Sequence, residues 1–176
     1  MRAVLLDRDG VLNRAIVREG RPYAPANVQE LEIPEGVLEA LNRLKAKGFL
    51  LIGVTNQPDV VRGTTTRENV EAINQQLLLQ LPLETIYVCY HDDKDHCGCR
   101  KPAPGLLLEA AKAYNLDLSQ SFMVGDRWKD IAAGTKAGCK TLFLDMKYQE
   151  VFPREITPDF TADSLMGCVE WIINGE

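Results

Sequence analysis

Long apolar runs are missing from this chain of 176 residues: no plainly apolar stretch is longer than Phe49-Leu50-Leu51-Ile52, far short of the ~20 residues that cross a bilayer. Basic blocks are missing too. The formal net charge is -5 at pH 7 and no run of Lys or Arg stands out, which argues against broad electrostatic capture of nucleic acid or of an anionic membrane. The phosphate-cradling strings GxxxxGK[ST] and GxGxxG do not occur. No signal-peptide pattern opens the chain, because Met1-Arg2 leads straight into a strand-like segment. Histidine is scarce, with His91 and His96 alone. The expectation is a cytoplasmic protein with no nucleic-acid and no membrane partner.

What is present suits one ordinary core. Hydrophobic residues make up 45% and charged residues 26% of the chain. A single domain over 1–176 is therefore expected, burying roughly 70% of the surface that the unfolded chain exposes. The five cysteines read as thiols or metal ligands rather than as a disulfide framework. Cys89, Cys97 and Cys99 crowd together with both histidines, whereas Cys139 and Cys168 fall on apolar segments as small core residues.

Short apolar runs alternate with longer amphipathic ones. Strands are predicted at Ala3–Leu6, Phe49–Val54, Thr85–Cys89, Ser121–Val124 and Lys140–Leu144. Helices are predicted between them. Pro34 to Lys47 carries Val37, Leu38, Leu41 and Leu44 on one face and stops at Gly48. Thr65 and Glu68, at capping-box spacing, open a helix bearing Val70, Ile73, Leu77 and Leu81. Further helices fall at Pro104–Tyr114, at Trp128–Ala137 ended by Gly138, and at Ser164–Ile173. This order predicts a Rossmann-like, doubly wound α/β fold with a mainly parallel sheet. Ligands of such sheets sit beyond the carboxyl ends of the strands.

Four strands are followed by polar or ionisable groups: Asp7-Arg8-Asp9-Gly10, Thr55-Asn56-Gln57, Arg100-Lys101-Pro102, and Gly125-Asp126-Arg127 with Asp130 beyond. A lone Asp after a strand is ordinarily a turn former or a helix cap. Four such coincidences at one sheet edge ask for another explanation. Asp7 and Asp9 repel each other unless a cation or proton joins them, and with Asp126 they offer oxygen ligands to a hard ion such as Mg²⁺. One carboxylate could attack phosphorus while the other protonates the leaving oxygen and then deprotonates water. Lys101 and the Thr55 hydroxyl could steady the phosphoryl oxygens.

These four strings, in this order, resemble the motifs of the haloacid dehalogenase superfamily over the chain from its start to about Leu144. The resemblance implies that Asp7 is the nucleophile and Asp9 the general acid/base, with Thr55 and Lys101 steadying the phosphoryl group. It implies that Asp7, the backbone carbonyl of Asp9, and Asp126 bind Mg²⁺. An Asp at the second position implies a phosphatase or phosphotransferase rather than a dehalogenase.

Cys89-x-His91-x₅-Cys97-x-Cys99 offers three sulfurs and an imidazole, a set suited to a closed, structural Zn²⁺ site. His96 is a spare imidazole that could take the place of His91. The metal would pin a segment with no apolar residues of its own and so position Arg100 and Lys101. Lying just before Arg-Lys-Pro, this loop is similar to that of the superfamily's zinc-bearing branch, which holds heptose 1,7-bisphosphate phosphatases and histidinol-phosphate phosphatases. The resemblance implies hydrolysis of a small phosphate monoester, first the 7-phosphate of the phosphorylated sugar heptose 1,7-bisphosphate and alternatively histidinol phosphate or another small phosphomonoester. A zinc-stabilised binding module without catalysis is the competing class. About twenty residues separate Leu12 from the helix at Pro34, room for a flap but not for a cap domain. Arg21 and Tyr23 on that flap, with Asn56, Gln57, Arg100 and Arg127, are the expected substrate contacts. A monomer is expected.

Overall fold

Apolar runs become neighbours in one sheet in the computed structural model, which describes residues 1–175. The strands are β1 (Ala3–Leu6), β4 (Leu50–Asn56), β5 (Thr85–Cys89), β6 (Phe122–Gly125), β7 (Lys140–Leu144) and β8 (Phe160–Ala162). They lie in the order β5-β4-β1-β6-β7-β8, with every pairing parallel. The chain starts at the centre, builds outward to β5, then returns to the other side of β1. The carboxyl end of β1 is therefore flanked by β4 and β6, whose connections leave in opposite directions, which opens a crevice there.

Period-two alternation explains the two faces. Val4 and Leu6 point into one apolar cluster and Leu5 into the other, as do Leu51 against Ile52 and Val124 against Met123. The first face is covered by α1 (Val37–Ala46), α2 (Arg67–Gln80) and α5 (Leu165–Asn174), the second by α3 (Gly105–Tyr114) and α4 (Trp128–Ala137). The doubly wound expectation holds. No described helix is long and apolar enough to cross a membrane.

Two local expectations are corrected, and the flap gains a structure that the sequence analysis did not specify. The buried stripe of α1 is Val37, Ala40, Leu41 and Leu44, while Leu38 stands 48% exposed, because the i, i+3, i+4, i+7 positions face the sheet. The cap of α2 is Thr66, whose hydroxyl accepts from the Asn69 amide, whereas the Thr65 hydroxyl turns to the Ala26 carbonyl. The flap contains an antiparallel hairpin, β2 (Ile16–Arg18) and β3 (Arg21–Tyr23), turned through Glu19 and Gly20 at φ 49° and 73°. The edge strand β8 was also unforeseen. Trp171 of α5 stacks on its Phe160 at 5.3 Å between ring centres.

Candidate active site

The end of β1 delivers Asp7, whose amide donates to Val124 of the neighbouring strand at 3.0 Å. Lys101 arrives from the loop after β5 and is buried, its ammonium satisfied by Asp7 Oδ1 at 2.8 Å, the Val54 carbonyl at 2.8 Å and Asp130 Oδ1 at 2.7 Å. Burial opposes the Lys101 charge, but Asp130 and Asp7 outweigh it and hold the ammonium above its ordinary pKa. Asp126 follows β6, and Asp130 stands in the first turn of α4, where it also accepts from the Arg127 amide at 3.0 Å. Oxygens of Asp7, Asp126 and Asp130 all lie within 4.8 Å of one another.

Three carboxylates packed so closely repel one another, and Lys101 pairs with only two of them, Asp7 and Asp130. Burial, then Asp130, pushes Asp7 up to about 6 against the pull of Lys101. Burial, then Asp7 and Asp130, pushes Asp126 well above the usual carboxylate range. Both Asp126 oxygens are buried without a hydrogen-bond partner. A hard divalent cation fits this donor set, and the orphaned Asp126 oxygens are the sharpest sign of it. Close approach here demands glycine: a Cβ at Gly10, which has φ 95°, would overlap the Asp126 carboxylate, and one at Gly125 would overlap Asp130.

Asp9 faces the same cleft from the other side. Its carboxylate accepts from Gln57 Nε2 at 2.7 Å, Asn13 Nδ2 at 3.0 Å and the Arg8 guanidinium at 3.0 to 3.2 Å. Thr55 is buried beneath Gln57, which donates to its hydroxyl at 2.9 Å. The hydroxyl keeps its own proton to donate. Both polar groups of Asn56 are engaged by the backbone of Lys101 at 3.0 Å, so this residue clasps the strand β4 loop to the Lys101 loop.

Above these groups opens a cleft of about 460 Å³ lined by all of the carboxylates named, by Arg21 and Tyr23 of the hairpin, and by Arg62, Arg100, Arg127 and Lys129. The outer cations are mostly held by local acids. Arg62 pairs with Asp92 at 2.6 Å, Arg100 with Asp93 at 2.8 Å and Lys129 with Asp93 at 3.4 Å. Arg127 makes a two-oxygen contact with Glu150. Arg21 makes no ion pair among the described residues.

The thiol cluster lies beside this mouth. The sulfurs of Cys89, Cys97 and Cys99 are 3.0, 3.4 and 3.7 Å apart, and His91 Nδ1 is 3.3 Å from Cys99 and 3.5 Å from Cys89. A tetrahedral Zn²⁺ with thiolate ligands sets sulfur–sulfur edges of ~3.8 Å, so the four donors suit that ion. His91 joins the sulfurs and His96, in a left-handed turn at φ 47°, does not. Burial pushes the Cys89 thiol up, whereas the Arg100 amide donates to Cys97 and, against burial, brings its thiol down to about 7. The loop is tied to the cleft by Arg100, which also donates to the His91 carbonyl at 3.3 Å.

Sequence reasoning gives Asp130 no role, because its place three residues after Arg127 is a capping position, which hides its bond to Lys101. It missed Tyr148, whose buried hydroxyl lies alongside Asp126 and Gly10, and Glu150. It also missed Asn74, the polar member of the apolar stripe of α2. That break in the stripe was the available signal.

A HAD-hydrolase-like family model matches residues 98–167. D-glycero-beta-D-manno-heptose-1,7-bisphosphate 7-phosphatase of Helicobacter pylori is 37% identical over 149 residues, spanning 81% of this chain and 83% of the relative. The Escherichia coli K12 protein of the same name is 33% identical over 93% of this chain and 89% of its own length. Among solved structures, D,D-heptose 1,7-bisphosphate phosphatase from B. bronchiseptica, complexed with magnesium and phosphate, superposes with a TM-score of 0.82 at 28% identity and covers 100% of both chains.

Proposed function

The chain belongs to the family of heptose-1,7-bisphosphate 7-phosphatases, HAD-like hydrolases of phosphate esters, and from that premise we propose that it removes the 7-phosphate of D-glycero-D-manno-heptose 1,7-bisphosphate. The observation that carries this reading is the convergence of Asp7, Asp126 and Lys101 from three separate strand ends in one cleft. Asp126 keeps two buried oxygens free for a cation there.

Mg²⁺ would be held by Asp7, the backbone carbonyl of Asp9, and Asp126, where it supplies positive charge against the phosphoryl oxygens. Asp130 borders the same place but is committed to Lys101 and the Arg127 amide. Asp7 Oδ attacks phosphorus, forming an aspartyl phosphate as the ester oxygen leaves with the proton of Asp9. Asp9, now a carboxylate, takes a proton from the water that attacks phosphorus, and phosphate departs with Asp7 restored. Lys101, fixed by three acceptors, balances charge at Asp7 without having to move, which is how preorganisation lowers the barrier. Thr55 and Gln57 orient the phosphoryl oxygens, and Arg21, Tyr23, Arg100 and Arg127 line the cleft where the sugar and its second phosphate would sit, whereas Asn56, expected as a substrate contact, spends both polar groups on the Lys101 backbone.

Cys89, His91, Cys97 and Cys99 would hold a structural Zn²⁺. Cys89, Cys97 and Cys99 border an apolar cluster, but residues 90–96 between them join neither cluster, and they carry Asp92 and Asp93, which hold Arg62 and Arg100 at the mouth. Phosphate release from heptose 1,7-bisphosphate and from histidinol phosphate, compared by kcat/KM, tests the substrate. The heptose ester is expected to win, and preference for histidinol phosphate would overturn that assignment.

A further inference from the structure

Arg8 is among the largest side chains with no exposure at all, and a guanidinium is costly to bury unless each of its arms is engaged. Nε and Nη2 close on the Asp9 carboxylate at 3.0 to 3.2 Å, while Nη1 donates to Asn74 Oδ1 at 2.9 Å. Asn74 stands on α2, 66 residues along the chain, buried in the stripe of Val70, Ile73 and Leu77. Among the described residues this is the only hydrogen bond that ties the guanidinium to anything other than Asp9. Neither Arg8 nor Asn74 lines the cleft.

We propose that Asn74 is a positioning residue of the reaction: by fixing Arg8 it sets the orientation of the Asp9 carboxylate for proton transfer to the leaving oxygen. The inference rests on Asp9 being the acid/base. Gln57 and Asn13 each approach Asp9 with one donor from loops at the site itself. Arg8 reaches both oxygens, Nε and Nη2 converging on Oδ1 at 3.1 and 3.0 Å and Nη2 also on Oδ2 at 3.2 Å, so the orientation of the guanidinium sets that of the carboxylate. A guanidinium on a long flexible stem has no plane of its own to impose; its third arm, held by a helix packed in the core, supplies one. Loss of that arm leaves Asp9 chemically intact and misaimed, and proton transfer falls steeply with misalignment.

The test compares two esters. With heptose 1,7-bisphosphate the leaving alkoxide needs the Asp9 proton, and with p-nitrophenyl phosphate the leaving phenolate departs without one. kcat/KM reports the steps up to the first bond cleavage, so the later base step does not enter. The ratio of the two kcat/KM values is independent of the fraction of protein folded, because misfolding scales both alike. Asp9→Asn is the benchmark and should lower the heptose value by roughly 10²-fold or more relative to the aryl ester. Asn74→Leu and the less disruptive Asn74→Ala should lower that ratio by roughly tenfold, and Asn74→Asp, which keeps the acceptor for Arg8, should restore it to within about threefold. If Asp9→Asn moves the ratio but both Asn74→Leu and Asn74→Ala leave it unchanged, the positioning role is overturned while the site stands. If Asp9→Asn leaves the ratio unchanged, the acid/base assignment itself fails and the inference with it.

Discussion

Two clusters in this molecule gather acidic or soft donors within a few ångströms, and they are built in opposite ways. Asp7 comes from the end of β1, and Asp126 and Asp130 from the end of β6 and the first turn of α4; all three are buried, and they are held by the parallel sheet and by Lys101. Cys89, His91, Cys97 and Cys99 come from eleven consecutive positions at the end of β5 and in the loop that follows, and only Cys89 is fully buried. The first cluster has a fold without needing a metal and would use one for chemistry. The second has little core of its own and would use its metal to have a fold. The contrast teaches that removing one ion should silence the enzyme while leaving its shape, and removing the other should loosen the shape and impair the enzyme indirectly.

The sharpest break is Asp7→Asn. Catalysis should drop by roughly 10⁴-fold or more, as when a nucleophile is deleted. The circular dichroism spectrum should not change, because burial already disfavours the Asp7 charge. Cys99→Ser strikes the other cluster. It should lower bound zinc, measured by metal analysis, and reduce kcat/KM by roughly 10²-fold, since Arg100 and Lys101 follow directly and a small misplacement is enough. It should also lower Tm, which Asp7→Asn should not do. A Cys99→Ser variant with full zinc and full activity would erase the contrast.

A pH series sharpens the carboxylate side. The Asp7 pKa stands at about 6 in the fold, above its ordinary value of 3.8, so the folded state binds that proton more tightly than the unfolded chain. Its stabilising share is present below 3.8 and is lost as pH rises through about 6; Asp126 shifts in the same direction. Mg²⁺ competes for the same oxygens. The rise in Tm on adding Mg²⁺ should therefore be larger at pH 7.5 than at pH 5, measured by differential scanning calorimetry. The smallest effect belongs to the mouth: Glu150→Gln frees Arg127 and should change KM by only a few-fold, with kcat nearly constant, as read from initial rates.

How much of this was legible follows the same division. The strand ends were readable because Asp7 and Thr55 follow their apolar runs at once and Asp126 after one glycine, while Lys101, well beyond β5, was readable from its Arg100-Lys101-Pro102 string; the thiol cluster was readable because its donors are neighbours in sequence. The α/β layering was readable from buried runs such as Ala3-Val4-Leu5-Leu6 alternating with longer amphipathic ones. The hairpin was not, because the first position of its left-handed turn is Glu19, so that Gly20 alone carries the signal of such turns. Nor was β8, three residues long at an edge, where pairing with β7 rather than composition makes it a strand. Tyr148 and Glu150 lie on a stretch with no periodicity, and only the path of the chain after β7 brings them to Asp126 and Arg127. Asn74 looked like an ordinary helix residue until Arg8 was seen to reach it.

The most direct measurement is to trap the covalent enzyme. Substrate mixed with enzyme and Mg²⁺, quenched in acid and reduced with borohydride, converts an acyl phosphate to an alcohol that mass spectrometry locates. Homoserine at position 7 is the predicted result. An unmodified Asp7, or homoserine formed at another carboxylate, would contradict the account.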